Sequence, residues 1–151
     1  MDSTASIRQA LILVATVALC WLAVPTQAHA DDSVNVDVRV IRVATSGGAH
    51  VDTALEDLKP KLLKAFDGYE NFQSLSQQDA RIPSGQSHDF TLPDGTILRV
   101  TAKDTTGETL RIGIGVGNKF KTNVRVSPGN TFFQAGLPYK GGILVIAITA
   151  R

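Results

Sequence analysis

A chain of 151 residues with 15 Lys and Arg against 14 Asp and Glu has a net charge of +1, and so no overall basic field to recruit nucleic acid or an anionic membrane. Its single cysteine, Cys20, excludes an internal disulfide framework. Charges are scattered without a run of like sign, and no repeat or low-complexity stretch is present, which excludes solenoids and charged tails.

The first 30 residues have the layout of an export signal. Arg8 precedes the apolar run Ala10 to Val24, Pro25-Thr26-Gln27 interrupts it, and Ala28-His29-Ala30 supplies an A-x-A cleavage site. The run is shorter than the roughly 20 residues of a membrane-spanning helix. The expectation is therefore cleavage after Ala30 rather than retention as an anchor, leaving no membrane span. Lipid attachment at Cys20 is disfavoured by the large Leu19 before it. The chain then divides into a signal peptide, 1–30, and one domain, 31–151, located in the periplasm or outside the cell. Cys20 leaves with the signal, so the domain relies on its core, which its size permits.

Val34, Val36, Val38 and Val40 share one face of a strand, with Asn35, Asp37 and Arg39 on the other. At Ile41 and Val43 the apolar parity changes, and a bulge or bend near Val40 would reconcile the halves. Thr45 to Val51 reads as a loop. Thr53 and Glu56 sit at capping-box spacing, and Leu55, Leu58, Leu62 and Phe66 form one helical stripe over about 53–66. Pro60 lies inside it, so the segment either kinks or breaks into a turn and a second helix with Pro60 in its first turn. Asp67-Gly68 ends it. Tyr69 to Ser76 is a polar strand suited to an edge, and Pro83-Ser84-Gly85 turns the chain.

Gln86 to Val116 reads as three strands of a meander. Pro93-Asp94-Gly95 and Asp104-Thr105-Thr106-Gly107 supply the reversals, and Leu110, Ile112, Ile114 and Val116 alternate with Arg111 and glycines. Gly117-Asn118 is a hairpin candidate before the strand Phe120 to Val126. Pro128-Gly129 suits a type II turn. Thr131 to Gln134 reads as a short strand, Ala135 to Gly142 as a loop, and Ile143 to Thr149 as the closing strand. Ile143 to Ile148 is apolar on both parities, so both faces need cover: the sandwich core on one side, and on the other the helical stripe or a second copy of the protein. The fold expected is a mostly β, antiparallel sandwich, immunoglobulin-like or related, of about seven or eight strands with one short helical segment.

Gly113, Gly115 and Gly117 share a parity with Arg111, which leaves one strand face nearly bare. Such a face is a possible floor for a ligand, or else makes room for the helix or an aromatic ring. Phe132 and Phe133 are adjacent on a strand and must point to opposite faces. Either both are buried, one in the core and one under the helix or a loop, or an outward ring joins Tyr139 and Lys140 in a contact surface. Asp89, Asp94, Asp104 and Glu108 are available as carboxylates, but three lie at or beside expected turns, where carboxylates cap backbone donors. His50 and His88 lack metal-ligand spacing, and no G-x-S-x-G elbow is present. No catalytic residue, metal site or cofactor is expected.

The segment SPGNTFFQAGLPYKGGILVIAITA, residues 127–150, resembles the turn-strand-glycine-strand pattern of secretin-type outer-membrane channel proteins, over about a fifth of the exported chain. It carries no functional residue across. The whole exported chain resembles small uncharacterised bacterial exported proteins. The expected function is a non-enzymatic binding or accessory module recognising a protein partner, with the rim of Phe132, Phe133, Tyr139 and Lys140 as its contact surface. The alternatives are a self-associating, structural component of an envelope or secretion assembly, and a hydrolase acting on an extracellular polymer.

Overall fold

A computed structural model describes residues 32–106 and 108–151; the export signal expected over 1–30, and Gly107 of the second meander turn, lie outside the described residues. Nine strands and one short α-helix follow in the order β1 Ser33–Ala44, β2 His50–Val51, α1 Lys59–Ala65, β3 Asn71–Pro83, β4 Ser87–Thr91, β5 Ile97–Thr106, β6 Thr109–Val116, β7 Phe120–Val126, β8 Thr131–Tyr139 and β9 Gly142–Ala150. They form two sheets, β2-β3-β1-β9-β8 and β4-β5-β6-β7. Every pairing is antiparallel except the short parallel contact of β2 with β3. The architecture is the expected β-sandwich.

Between the sheets lies one apolar layer. Val34, Val36, Val38 and Val40 of β1 and Leu144, Ile146 and Ile148 of β9 meet Leu98 and Val100 of β5 and Ile112, Ile114 and Val116 of β6. A second, smaller layer lies on the outer side of the first sheet. There Ile41, Val43, Phe72, Val145 and Ala147 are covered by Leu55, Leu58 and Leu62. The closing strand is thus buried on both faces within one chain, by the sheet opposite and by the helical segment. Each fully buried Leu, Ile or Phe in these layers contributes about 1.5–3 kcal/mol of transfer free energy.

The helical segment breaks as Pro60 allows. A 3-10 turn spans Thr53–Leu55, and α1 starts afresh with Pro60 in its first turn. The cap is Asp52 rather than Thr53: its carboxylate accepts from the Ala54 amide at 3.2 Å and, at 3.4 Å, from the Ser74 amide of β3. Arg39 of β1 donates to both oxygens of Asp57, at 2.7 and 2.9 Å, and so ties the segment to the sheet.

The bulge near Val40 lies on the neighbouring strand. Val40 pairs with Ser76 and Ile41 with Ser74, which makes Leu75 of β3 the extra residue, while the β1–β9 register runs unbroken. The side-chain alternation of β1 therefore runs unbroken, even-numbered valines facing the sandwich core, and its odd-numbered face becomes apolar at Ile41 and Val43 where the helix covers it. The shift instead reverses β3, so that Phe72 faces the helix and Ile82 the sandwich core, although both are even-numbered. β3 also runs well past Ser76, to Pro83, and His50–Val51 of the expected loop add a short edge strand.

Two more expected loops are strand. β5 continues to Thr106, so Asp104 and Thr105 belong to the strand and not to the reversal, Asp104 within a slip of the ladder and Thr105 paired with Leu110. β8 runs to Tyr139 because a bulge at Gly136, with φ +117, accommodates an extra residue between Ala135 and Leu137. The Pro128-Gly129 turn forms as expected, with the Asn130 amide donating to the Ser127 carbonyl at 3.0 Å.

Candidate functional site

The central strand of the second sheet turns Ile112, Ile114 and Val116 inward, so Arg111, Gly113 and Gly115 face out. Register sets Arg99 and Lys121 on either side of Gly115, and Thr101 and Asn123 on either side of Gly113. In β5 the ladder slips between Ala102 and Thr105, which leaves Lys103 and Asp104 together facing Arg111; Arg111 in turn pairs with Arg125 of β7. With no side chains at two central positions, the face is hollowed into an open groove of about 360 Å³. Its walls are Arg99, Thr101, Lys103, Lys121 and Asn123.

The two glycines differ. A Cβ at Gly113 would lie 3.2 Å from Cε of Lys103, 3.3 Å from Cβ of Thr101 and 3.4 Å from Oδ1 of Asn123, so these side chains close over its backbone. A Cβ at Gly115 would meet only the Lys121 stem, at 3.5 Å and beyond. Lysine stems and Thr101 border this space, where sequence reasoning offered a helix or an aromatic ring as the structural occupant. Gly117 is not part of the floor. It opens the β6–β7 turn with φ +47, and its amide donates to the Ile97 carbonyl at 2.9 Å.

Five cations, Arg99, Lys103, Arg111, Lys121 and Arg125, thus stand on one face with two carboxylates, Asp89 and Asp104. Arg99 forks onto Asp89, with Nε and Nη2 each 2.6 Å from one carboxylate oxygen. That hydrogen-bonded guanidinium holds the Asp89 carboxyl below the usual range and raises Arg99 in return. Arg111 reaches Asp104 at 3.4 Å. Lys103, Lys121 and Arg125 make no ion pair among the described residues. A net charge near zero conceals this concentration, because composition counts charges and the meander register places them. The signal was present in the alternate positions of each strand, Arg99-Thr101-Lys103, Arg111-Gly113-Gly115 and Lys121-Asn123-Arg125, and becomes legible once the three are laid in register.

The aromatic residues are divided between layers. Phe132 packs on the sandwich core, and Phe133 on the helix side, where its ring meets Phe66 edge-on at 5.9 Å. Both are partly buried. Tyr139 is turned back to the core side by the Gly136 bulge. Lys140 sits in the β8–β9 turn with φ +41; its ammonium lies 5.3 Å from the centre of the Tyr139 ring, and its carbonyl accepts two bonds from Arg42. These four side chains do not share one face.

Other candidate groups are occupied locally. Partial burial pushes the Asp94 carboxyl up, but the Thr96 amide and hydroxyl, at 2.9 and 2.8 Å, together with Lys119, hold it below its usual range. The His88 ring lies against Phe90, 4.7 Å between centroids, while Asp89 turns to Arg99. Among the described residues no three His, Cys, Asp or Glu side chains converge as metal ligands, and no helix is long and apolar enough to cross a membrane. No protein-family model, no curated protein and no solved structure matches the chain.

Proposed function

We propose that the protein is an exported, non-enzymatic binding or accessory module that acts in the periplasm or outside the cell and takes its ligand on the outer face of the β4-β5-β6-β7 sheet. The observation that carries this reading is the glycine-floored groove, walled by side chains that offer cationic and hydrogen-bonding groups. The neighbouring Asp89 favours binding over catalysis: its fork with Arg99 holds it ionised, whereas a general acid needs a carboxyl whose proton is retained near neutral pH. The self-associating alternative loses its motive, since the closing strand is already covered on both faces. The segment resembling secretin-type channel proteins is the β7–β8 turn and the β8–β9 hairpin, which fits an envelope setting.

Two measurements test the reading. N-terminal sequencing of the protein recovered from the exported fraction should begin at Asp31; recovery in the cytosol with Met1 intact would overturn export. The protein, immobilised, should retain at least one polymer from fractionated envelope and extracellular material in stoichiometric amount and release it at its original length. Shortening of the polymer by catalytic amounts of protein, or retention of none, would overturn the binding-module reading.

A further inference from the structure

We propose that the groove of the second sheet binds an acidic polysaccharide, a hydroxyl-rich chain bearing recurrent carboxylates, laid across the glycine floor between two rows of cations. This rests on the binding-module reading above and names its ligand class. One row is Arg99 and Lys121 beside Gly115; the other is Lys103 of the groove wall with Arg111 and Arg125, which stand just beyond the groove on the same sheet face. Lys121 and Arg125 are four residues apart on β7, about 13 Å along an extended strand. A single small anion cannot engage both rows. An extended chain with repeated acidic groups can, and between the rows Thr101 and Asn123 offer a hydroxyl and an amide to its own hydroxyls.

The same face argues against other polyanions. Single-stranded nucleic acid is held by aromatic platforms on which bases stack, and the groove walls carry none. An extended acidic peptide gains affinity by pairing its backbone with a free sheet edge, whereas this groove lies over β5, β6 and β7, whose backbone groups already pair with one another. An anionic membrane surface favours apolar side chains that enter the interface alongside the cations, and the groove wall is polar and charged. Carboxylate is the anion for which these arginines are already set: Arg99 holds Asp89 through a two-bond fork, and Arg111 reaches Asp104. Lys103, Lys121 and Arg125 remain to neutralise the ligand. Bringing three unpaired cations onto one face costs repulsion that an acidic chain would relieve.

Isothermal titration of the purified protein with polygalacturonate oligomers tests the proposal. Binding should be measurable in low salt and weaken at least tenfold between 50 and about 300 mM salt, as added salt shortens the Debye length and screens the exposed cations. Neutral dextran of equal length should not bind. Lys103→Gln with Lys121→Gln should weaken binding at least tenfold at unchanged thermal midpoint, and Gly115→Val should do the same by raising the floor. Lys61→Gln, on the helix of the opposite sheet, should leave binding intact. Lack of binding, binding unchanged in the double variant, equal binding of dextran, or tighter binding of oligothymidylate or of phosphatidylglycerol vesicles would each overturn the ligand class. If polygalacturonate fails while another polymer is retained whole, the ligand class falls and the binding-module reading stands; if no polymer is retained, both fall.

Discussion

Gly142 and Gly115 are both strand glycines without special backbone angles, yet they are there for different reasons. A Cβ on Gly142 would run into the backbone carbonyl of Val43 and the side chain of Ala44, atoms of the central strand that cannot step aside. Gly142→Ala should therefore destabilise the protein by about 1–3 kcal/mol, read as a lower urea midpoint. At Gly115 the added methyl makes only ordinary contact with the Lys121 stem. Gly115→Ala should be neutral or stabilise by up to about 1 kcal/mol, because a strand glycine has more backbone freedom to lose on folding. A fold-neutral glycine at the bottom of a groove is better explained by what the groove receives. At the same scale, Arg39 holds Asp57 below the usual carboxylate range, chiefly through its hydrogen bonds. A depressed folded-state pKa stabilises above the unfolded value of about 3.9 and is lost as pH falls through the lower folded value. Asp57→Asn should therefore cost under about 1 kcal/mol at neutral pH, as this carboxylate is largely exposed, and the gap from wild type should close in urea titrations taken below pH 4.

Among the elements, the helical segment is the clearest case of a pattern read from sequence and then settled by packing. Leu62 is fully buried against the outer face of the first sheet, while its neighbour Leu63 is 46% exposed. Leu62→Ala should cost about 2–5 kcal/mol, and Leu63→Ala under about 0.5 kcal/mol, in thermal or urea unfolding. The stripe Leu55, Leu58 and Leu62 was legible because helical spacing is local. The bulge at Leu75 was not: a strand's own alternation says which residues share a face, but an extra residue opposite the partner strand is visible only when the partner is known. Hence the parity change at Ile41 pointed to the right place and the wrong strand. The same limit hid the length of β8, since Gly136 reads as loop chemistry until it is seen to bulge within a ladder.

For the whole molecule, two apolar layers sharing one sheet imply an order of opening. β1 and β9 contribute to both layers and are paired on both sides, whereas β2 and β4 are edge strands. Hydrogen exchange should leave the amides of β1 and β9 protected longest, and those of β2 and β4 exchanging earliest. Earlier exchange of β9 than of β4 would contradict this layering. What the sequence alone determined is local: strand alternation, the Pro93-Asp94-Gly95 and Pro128-Gly129 turns, the helical stripe, and the need to cover Ile143 to Ile148 on both faces. Each depends on residues a few positions apart, where side-chain direction and turn geometry are dictated by the chain itself. What only the tertiary structure decided is long-range: which strands pair, where ladders slip, and that Arg99, Lys103 and Lys121 border one glycine floor with Arg111 and Arg125 beside them on the same face. Those cations are separated along the chain by turns and inward-facing apolar residues, and only the register of three neighbouring strands makes them a single electrostatic surface.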